Sequence, residues 1–208
     1  MFKVSSSSQP RRLAAVAFFD IVGYSAKMAR SESEALACVK HFEELLRREV
    51  PASGGRVVKF LGDGSMAEFP TAIAAVECSQ RALDVLGATA DPRYEMRIGI
   101  HLGEVVDEAG DLFGDAVNIA ARVQPLADPG GIALSEPVHT QLRNQVTLPG
   151  AFLPPQKLKN IPERMRIFLV PPKGGRSQSL RTGRRRFALR TGAIGAGVLA
   201  LGGGALGI

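Results

Sequence analysis

"VVKFLGDGSMAEF", residues 57–69, consists of two apolar segments joined by the turn Gly62-Asp63-Gly64. Apolar and β-branched residues on either side of a glycine-containing turn predict a β-hairpin. Hairpin formation does not account for two residues, because Lys59 stands between apolar neighbours and Asp63 places a carboxylate in the turn. The hairpin is therefore the starting point of the fold prediction and the first place to look for a functional site.

A buried strand and a long helix are predicted before the hairpin. The run LAAVAFFDIVGYS, residues 13–25, is almost continuously apolar up to Asp20, as expected for a central strand buried on both faces. The next segment opens with Ser31 and Glu34 in capping-box spacing. Apolar residues then recur at helical spacing, at Leu36, Val39, Phe42, Leu46 and Val50. We expect an amphipathic helix that ends at Pro51.

Further elements are predicted after the hairpin. A second helix should run from about Thr71 to Leu86, with Gly87 as its C-terminal stop. The remaining predicted elements are a strand at 96–106 with a glycine break, a loop at 108–115, a short helix at 116–127, and strands at 131–135 and 164–170. The order β-α-β-β-α-β-α-β-β predicts an α+β fold, in which helices flank a mostly antiparallel sheet with a ferredoxin-like core.

The charge distribution argues against nucleic-acid binding. The net charge of +6 and the pI of about 9.7 first suggest such a partner. Residues 1–171, however, contain 19 basic and 20 acidic residues, and the other seven basic residues lie within 172–190. The folded part is therefore nearly neutral, so no nucleic-acid partner is expected. Anionic lipid headgroups are the expected partner of the basic segment.

An uncharged C-terminal hydrophobic segment, TGAIGAGVLALGGGALGI at 191–208, follows the basic one. As a helix it would span about 27 Å, close to the thickness of a bilayer's hydrocarbon core. The arginines before it place the preceding domain in the cytoplasm by the positive-inside rule. We therefore expect a flexible leader (1–10), a catalytic domain (11–171), a basic juxtamembrane linker (172–190) and a transmembrane segment (191–208) that tethers the domain to the inner membrane. Two alternatives stay open, a twin-arginine-like signal and a Gly/Ala tail outside the membrane.

The two cysteines, Cys38 and Cys78, lie in predicted helices and lack CxxC spacing. Two buried free thiols in a reducing compartment are expected, rather than a disulfide or a metal site.

Two carboxylates are predicted to meet at one edge of the sheet. Asp20 ends the first strand, and Asp63 lies in the turn of a hairpin that should be its neighbour. Each alone is typical of a turn, but together they suit a hard divalent cation such as Mg²⁺, which completes its coordination with water and substrate phosphates. Gly23 follows Asp20 closely, and successive N–H groups leading into a helix there are a weak signal for phosphate binding.

Further polar residues stand in otherwise apolar elements. Asn118 and Arg122 are four residues apart on a predicted helix and therefore share a face, and a guanidinium is well suited to phosphate. Asp111 lies in the loop that leads into this helix. Lys59 is either a solvated residue of an edge strand or a hydrogen-bond donor to a ligand.

Four sequence blocks together resemble a known family. FFDIVGYS, VVKFLGDGSMAEF, RIGIHLGEVV and DLFGDAVNIAARV occur in the order and approximate spacing of the class III nucleotidyl cyclase catalytic domain. From about Leu13 to Val170 the sequence resembles the bacterial adenylate cyclases of this group. The resemblance implies the class III cyclase fold and the conversion of ATP to 3′,5′-cyclic AMP and pyrophosphate, by attack of the ribose 3′-oxygen on the α-phosphate.

The resemblance also implies metal and phosphate ligands. Asp20 and Asp63, with the carbonyl of Ile21, would hold two divalent cations, Mg²⁺ or Mn²⁺. A basic residue near the end of the domain contacts the terminal phosphates in this family, and Lys159 is preferred over Lys157 for that role. The N–H groups that would bind the β- and γ-phosphates are those of Val22, Gly23 and Tyr24.

Lys59 and Asp111 match the family's purine-selecting pair. The lysine would donate to adenine N1, and the aspartate would accept from the exocyclic amine. Guanine presents a donor and a carbonyl at those positions, so ATP is expected rather than GTP. Asn118 matches the residue that orients the ribose, and Arg122 matches the residue that stabilises charge on the α-phosphate in the transition state.

A homodimer is the assembly that the resemblance implies. In this family one protomer supplies the metal residues, and the other supplies the purine and transition-state residues. One chain here contains all six principal positions, so no different partner is needed. The alternatives left open are a guanylate cyclase, a catalytically silent nucleotide-binding or dimerisation module, and a metal-dependent polymerase-like palm domain.

Overall fold

The computed structural model describes residues 10–175. Its elements, in chain order, are β1 (Arg11–Ile21), α1 (Tyr24–Arg30), α2 (Glu32–Ala52), β2 (Arg56–Phe60), β3 (Gly64–Phe69), α3 (Ala72–Ala88), β4 (Met96–Glu108), β5 (Asp111–Phe113), α4 (Asp115–Val123), β6 (Ile132–Ser135), α5 (Glu136–Leu142), β7 (Ala151–Phe152), β8 (Gln156–Lys157), β9 (Arg164–Met165) and β10 (Ile167–Val170). A short 3₁₀ turn, Gln124–Leu126, follows α4 directly.

The central feature is an eight-stranded sheet. Seven strands follow the order β2-β3-β1-β4-β6-β10-β7, and β5 pairs with the C-terminal part of β4. Strands β8 and β9 form a separate two-stranded sheet. Every strand pair is antiparallel except β4 with β6. The mostly antiparallel α+β architecture predicted from the sequence is confirmed.

Strand β1 is buried on both faces, as its apolar sequence predicts. Ala15, Ala17 and Phe19 belong to a core that includes residues of α2, α3 and α5. Ala14 and Val16 belong to a second core that includes residues of α4. Since successive side chains of a strand point to opposite faces, the alternation shows that α2, α3 and α5 cover one face and α4 covers the other.

The two long helices are confirmed, but their details differ from the prediction. Ser31 Oγ accepts a hydrogen bond from the Glu34 N–H at 3.4 Å, so the predicted N-cap is present. Pro51 lies inside the last turn of α2, and Gly87 lies inside α3 rather than stopping it. Leu36 is 52% exposed, because it lies about 200° around the helix from the buried Cys38. The buried face of α2 instead comprises Ala35, Cys38, Phe42, Leu45, Leu46, Glu49 and Val50.

Two predictions for shorter elements are wrong, and two short helices are missing from the prediction. The predicted loop at 108–115 contains the end of β4 and all of β5, so Asp111 is a strand residue. The predicted strand at 164–170 is divided between β9 and β10, which belong to different sheets. Helices α1 and α5 were not predicted, since each has only seven residues and neither shows an extended apolar period.

The predictions for both termini concern residues outside the described part of the chain. These are the leader, apart from Pro10, most of the basic linker and the hydrophobic segment at 191–208. Within residues 10–175, none of the helices has the length and apolar character needed to cross a bilayer. Cys38 and Cys78 are buried and are not joined by a disulfide, as predicted.

Candidate active site

The carboxylates of Asp20 and Asp63 meet at one edge of the sheet, as predicted. Asp20 is the penultimate residue of β1 and pairs with Gly64 of β3. The N–H of Ile21 donates to the carbonyl of Asp63 at 2.9 Å. This hydrogen bond ties the hairpin turn to the end of β1 and places the two acids side by side.

Asp20 has an unusual electrostatic environment. Partial burial raises its pKa, and the neighbouring Asp63 carboxylate adds to the rise, whereas the Arg97 guanidinium opposes it. Arg97 Nη2 lies 3.1 Å from Asp20 Oδ2. Two adjacent carboxylates with this mutual repulsion are a donor set that a hard divalent cation would neutralise. Among residues 10–175, His, Cys, Asp and Glu side chains form no group of three or more that could hold a metal by itself. These two acids would therefore depend on backbone, water or substrate oxygens to complete a cation's coordination.

The predicted phosphate-binding amides are only partly available. The Val22 N–H donates to the Glu95 carbonyl at 2.9 Å, so that group is already engaged in the link between β1 and β4. Gly23 adopts a left-handed backbone conformation (φ 71°, ψ 23°) at the start of α1. The N–H groups of Gly23 and Tyr24 remain as the candidates for an anion.

Lys59 and Asp111 form an ion pair between two hairpins. Lys59 Nζ lies 2.5 Å from Asp111 Oδ2, and both side chains are partly exposed. The hydrogen bond from Lys59, assisted by one from the Leu112 N–H, lowers the pKa of Asp111. Lys59 lies on edge strand β2, where the register shifts between Val57 and Lys59. A bulge of this kind re-aims side chains, which explains how a lysine inside an apolar strand reaches a residue 52 positions later.

Helix α4 presents Asn118 and Arg122 to solvent. Ala116, Ala120 and Val123 are its buried residues, whereas both polar side chains are exposed. Neither makes a hydrogen bond or ion pair within residues 10–175. The predicted shared face is confirmed, and both groups are free to contact a ligand or another protomer.

No described contact joins Lys159 to the other candidate residues. It lies exposed in the segment between β8 and β9, in a shallow cavity lined by residues 157–162. The structure therefore does not distinguish Lys159 from Lys157 as a phosphate contact.

Arg97 is a site residue that the sequence analysis missed. It occupies the second position of β4 and pairs with Asp20 across the antiparallel register. The Arg97 Nε atom is buried without a hydrogen-bond partner among the described residues. A charged residue in a strand of otherwise apolar character was the available signal, but its partner depends on the β1–β4 register, which the sequence alone does not fix.

Comparisons with known proteins agree with this arrangement. Residues 7–153 match the family described as the adenylate and guanylate cyclase catalytic domain. An adenylate cyclase of Streptomyces coelicolor is 38% identical over 118 residues, which cover 56% of this chain and 30% of that protein. The chain spans between 30% and 44% of the length of three curated relatives.

Solved structures show the same fold. The adenylate/guanylate cyclase/hydrolase of Silicibacter pomeroyi is 36% identical and superposes with a TM-score of 0.69, covering 79% of this chain and 99% of that one. An adenylyl cyclase of P. aeruginosa is 21% identical, with a TM-score of 0.70 over 83% of this chain and 98% of that one. With its fold, its paired acids and its matched residues, the chain belongs to the class III family of adenylate and guanylate cyclase catalytic domains.

Proposed function

We propose that this chain is the catalytic domain of an adenylate cyclase, which converts ATP to 3′,5′-cyclic AMP and pyrophosphate at sites shared across a homodimer. The observation that carries the proposal is the 2.5 Å contact between Lys59 Nζ and Asp111 Oδ2. This contact places a hydrogen-bond donor directly beside an acceptor, with both groups partly exposed to solvent. We call these two residues the purine pair.

The purine pair complements adenine and opposes guanine. Adenine has an acceptor, N1, next to a donor, the 6-amino group, so the lysine and the carboxylate can both be satisfied. Guanine has a donor at N1 and an acceptor at O6. In the orientation that the resemblance implies, with Lys59 facing N1 and Asp111 facing the 6-position, both contacts would therefore be mismatched. Each unpaired polar group costs roughly 1–3 kcal/mol, which corresponds to about 5- to 150-fold in relative affinity.

The proposed metal and phosphate ligands lie together at the edge of the sheet where β1 ends. Asp20, Asp63 and the Ile21 carbonyl would hold Mg²⁺ or Mn²⁺. When bound, these cations lower the pKa of the ribose 3′-hydroxyl and neutralise phosphate charge. Arg97 Nη2 lies 3.1 Å from Asp20 Oδ2, so Arg97 stabilises the ionised form of this proposed metal ligand.

The remaining polar residues complete the proposed site. The N–H groups of Gly23 and Tyr24 are proposed to bind the β- and γ-phosphates, with Lys159 as a further contact. Asn118 orients the ribose, and Arg122 stabilises negative charge on the α-phosphate as the 3′-oxygen attacks. All of these assignments rest on the sequence resemblance and on the placement of the residues described above.

A homodimer is proposed because the chain exposes apolar side chains beside the site residues. Leu61 and Phe113 are each 49% exposed, and they lie next to the turn of Asp63 and on the strand of Asp111, respectively. Burial of such residues between two protomers would bring the Asp20 and Asp63 edge of one chain towards the purine pair and Arg122 of the other. The cytoplasmic placement and the membrane tether at 191–208 are proposed from the sequence alone.

The test is a direct assay of cyclic nucleotide formation by the full chain with Mn²⁺. ATP should be converted to cyclic AMP much faster than GTP is converted to cyclic GMP. Asp20→Asn and Asp63→Asn should each remove turnover to background while leaving the folded structure intact by circular dichroism, and Asp84→Asn, an exposed acid on α3, is the control. Retained turnover in either site variant would refute the metal assignment, and faster turnover of GTP would refute the choice of substrate.

A further inference from the structure

We propose that Arg56 is a positioning residue that holds the β4–β5 turn against the β2–β3 hairpin and thereby sets the geometry of the purine pair. The inference rests on the proposed function, since it assigns to Arg56 the control of base preference at that same site. Neither the metal residues nor the residues of α4 are involved in it.

The guanidinium of Arg56 bridges three elements. Nε donates to Glu68 Oε1 on β3 at 2.8 Å, and Nη2 donates to Asp107 Oδ2 near the end of β4 at 2.7 Å. Nη1 donates to the Gly110 carbonyl in the turn that follows β4, also at 2.8 Å. A planar guanidinium presents donors in several fixed directions, so one arginine can satisfy all three acceptors.

Glu68 holds this guanidinium in place. Its side chain is only 11% exposed, and its second oxygen accepts a hydrogen bond from Arg12 of β1. Both oxygens of this carboxylate are therefore engaged by arginines from two different strands. Glu68 thus fixes the Arg56 guanidinium against β3. The hydrogen bond to the Gly110 carbonyl connects the same guanidinium to the exposed turn.

The turn itself holds Ala109 in a backbone conformation that alanine does not favour. Ala109 and Gly110 both have positive φ, at 52° and 83°. Two successive positive values are typical of a two-residue turn for which Asn-Gly is preferred, and alanine rarely adopts this conformation. Two contacts from outside the turn backbone stabilise it: Asp107 Oδ1 accepts from the Gly110 N–H at 3.2 Å, and Arg56 binds the Gly110 carbonyl.

The position of Arg56 in the chain connects the turn to the purine pair. Asp111 directly follows Gly110, and Lys59 lies three residues after Arg56 on β2. Arg56 therefore joins the two segments that supply the acceptor and the donor of the purine pair. If the hydrogen bond from Arg56 to the Gly110 carbonyl is lost, Lys59 and Asp111 should vary more in their positions relative to each other.

The first measurement is amide hydrogen exchange of residues 108–113 in the nucleotide-free full chain. Arg56→Lys keeps the charge, but all donors of lysine sit on one nitrogen, which cannot replace the three nitrogens that reach Glu68, Asp107 and Gly110. Exchange in this segment should therefore become about three- to tenfold faster. Arg11→Lys is the control, because Arg11 is an exposed arginine whose one ion pair among the described residues is with Glu104, at 3.6 Å. Unchanged exchange in Arg56→Lys would overturn the proposal.

The second measurement is competition of ATP and of GTP against a fluorescent ATP analogue. Arg56→Lys should lower the ATP-over-GTP preference by about three- to tenfold, and it should have no such effect in an Asp111→Ala background.

Ala109→Asn, which supplies the preferred Asn-Gly turn, should restore both slow exchange and ATP preference to Arg56→Lys. An unchanged preference despite faster exchange would overturn the proposal. Equal binding of ATP and GTP by the wild-type protein would instead overturn the substrate assignment, while the exchange data report separately on the turn.

Discussion

At the residue scale, three basic side chains of the main sheet have carboxylate partners on other strands. Lys59 contacts Asp111, Arg97 contacts Asp20, and Arg56 contacts Glu68. Each pair joins segments at least 12 positions apart in the sequence. A charge in an apolar strand is costly without a partner, so its presence predicts that a carboxylate is nearby even where the sequence does not identify it.

The purine pair should control which nucleotide is accepted. Lys59→Glu combined with Asp111→Cys replaces the donor and acceptor with residues typical of guanylate cyclases. We expect kcat/KM for ATP to fall by at least about 100-fold, because both adenine contacts are lost, and kcat/KM for GTP to rise. Assays with each nucleotide at matched protein concentration measure the change. An unaltered ratio of ATP to GTP turnover in a folded variant would contradict the assignment.

Residues that lie at a strand end and in the turn of a neighbouring hairpin can be placed from the sequence, whereas contacts that depend on the register between strands cannot. Asp63 was placed beside Asp20 because a hairpin turn and a neighbouring strand end must meet at one edge. The partner of Arg97 depends on a register between strands about 77 positions apart, and no local pattern specifies it. Contact between Lys59 and Asp111 was expected only from the family resemblance, since the bulge in β2 has no sequence signal of its own.

At the element scale, a close approach between backbones places α4 on the sheet. A Cβ at Gly99 of β4 would lie 2.2 Å from Gln124 Cα, in the 3₁₀ turn that directly follows α4. The predicted glycine break in this strand is therefore wrong. Gly99 lies within continuous β4 and is needed because only a residue without a side chain admits the turn at this distance.

Gly99→Ala should displace the turn and, with it, Arg122 on α4. We expect the free energy of unfolding to fall by about 1–3 kcal/mol, as for other overpacked sites. Turnover should fall by more than the loss of folded protein explains. Urea unfolding and turnover per folded molecule measure the two effects. Gly87→Ala is the control, because a Cβ there meets no atom within 4 Å. Equal stability of the two variants would contradict the packing argument.

The elements that the sequence patterns miss are all short, whereas the longest elements are predicted correctly. The sequence patterns of β1, α2 and α3 extend over enough residues for period-two burial or helical spacing to be recognised. Strand β5 has three residues and follows a turn without an Asn-Gly signal, so the local sequence predicts a loop there. The division between β9 and β10 at Arg166 depends on pairing with different strands, which is a property of the tertiary structure.

At the scale of the whole molecule, a buried histidine joins the two halves of the sheet. His101 of β4 is 5% exposed, and its Nδ1 lies 2.8 Å from Ser135 Oγ on β6. Burial lowers the pKa of His101 to about 4 from an ordinary value of 6.5. The folded protein therefore binds fewer protons here than the unfolded chain does between these pH values, so stability decreases as the pH falls through this range.

This histidine should make the protein acid-sensitive. Between pH 7 and pH 4 its contribution to the free energy of unfolding should decrease by about 3 kcal/mol. His101→Gln should remove this part of the pH dependence, whereas Ser135→Ala should retain it because the imidazole stays buried. Urea unfolding at a series of pH values tests both variants. A wild-type slope in His101→Gln would show that other groups cause the acid sensitivity.

The assembly determines whether a protomer can act alone. Asp20 and Asp63, the proposed metal ligands, define what we call the metal edge. This edge and the solvent-facing side chain of Arg122 belong to one chain, but no described contact within that chain joins them. In the proposed homodimer they serve different active sites. Two protomers that are each altered in a different set of residues should therefore complement each other. The closely paired acids, and an exposed Arg122 without a hydrogen bond or ion pair within residues 10–175, are both expected of a half-site.

Mixing two inactive variants tests this arrangement. Asp63→Ala and Arg122→Ala should each lack turnover, but a heterodimer of the two has one doubly altered site and one intact site. With equal amounts and random exchange, half of the dimers are mixed, so activity should recover to about a quarter of the wild-type value. Mixing Asp63→Ala with Asp20→Ala is the control, because both changes affect the metal edge and neither mixed site is intact. Confirmed heterodimers of Asp63→Ala and Arg122→Ala that stay inactive would show that the sites are not shared in this way.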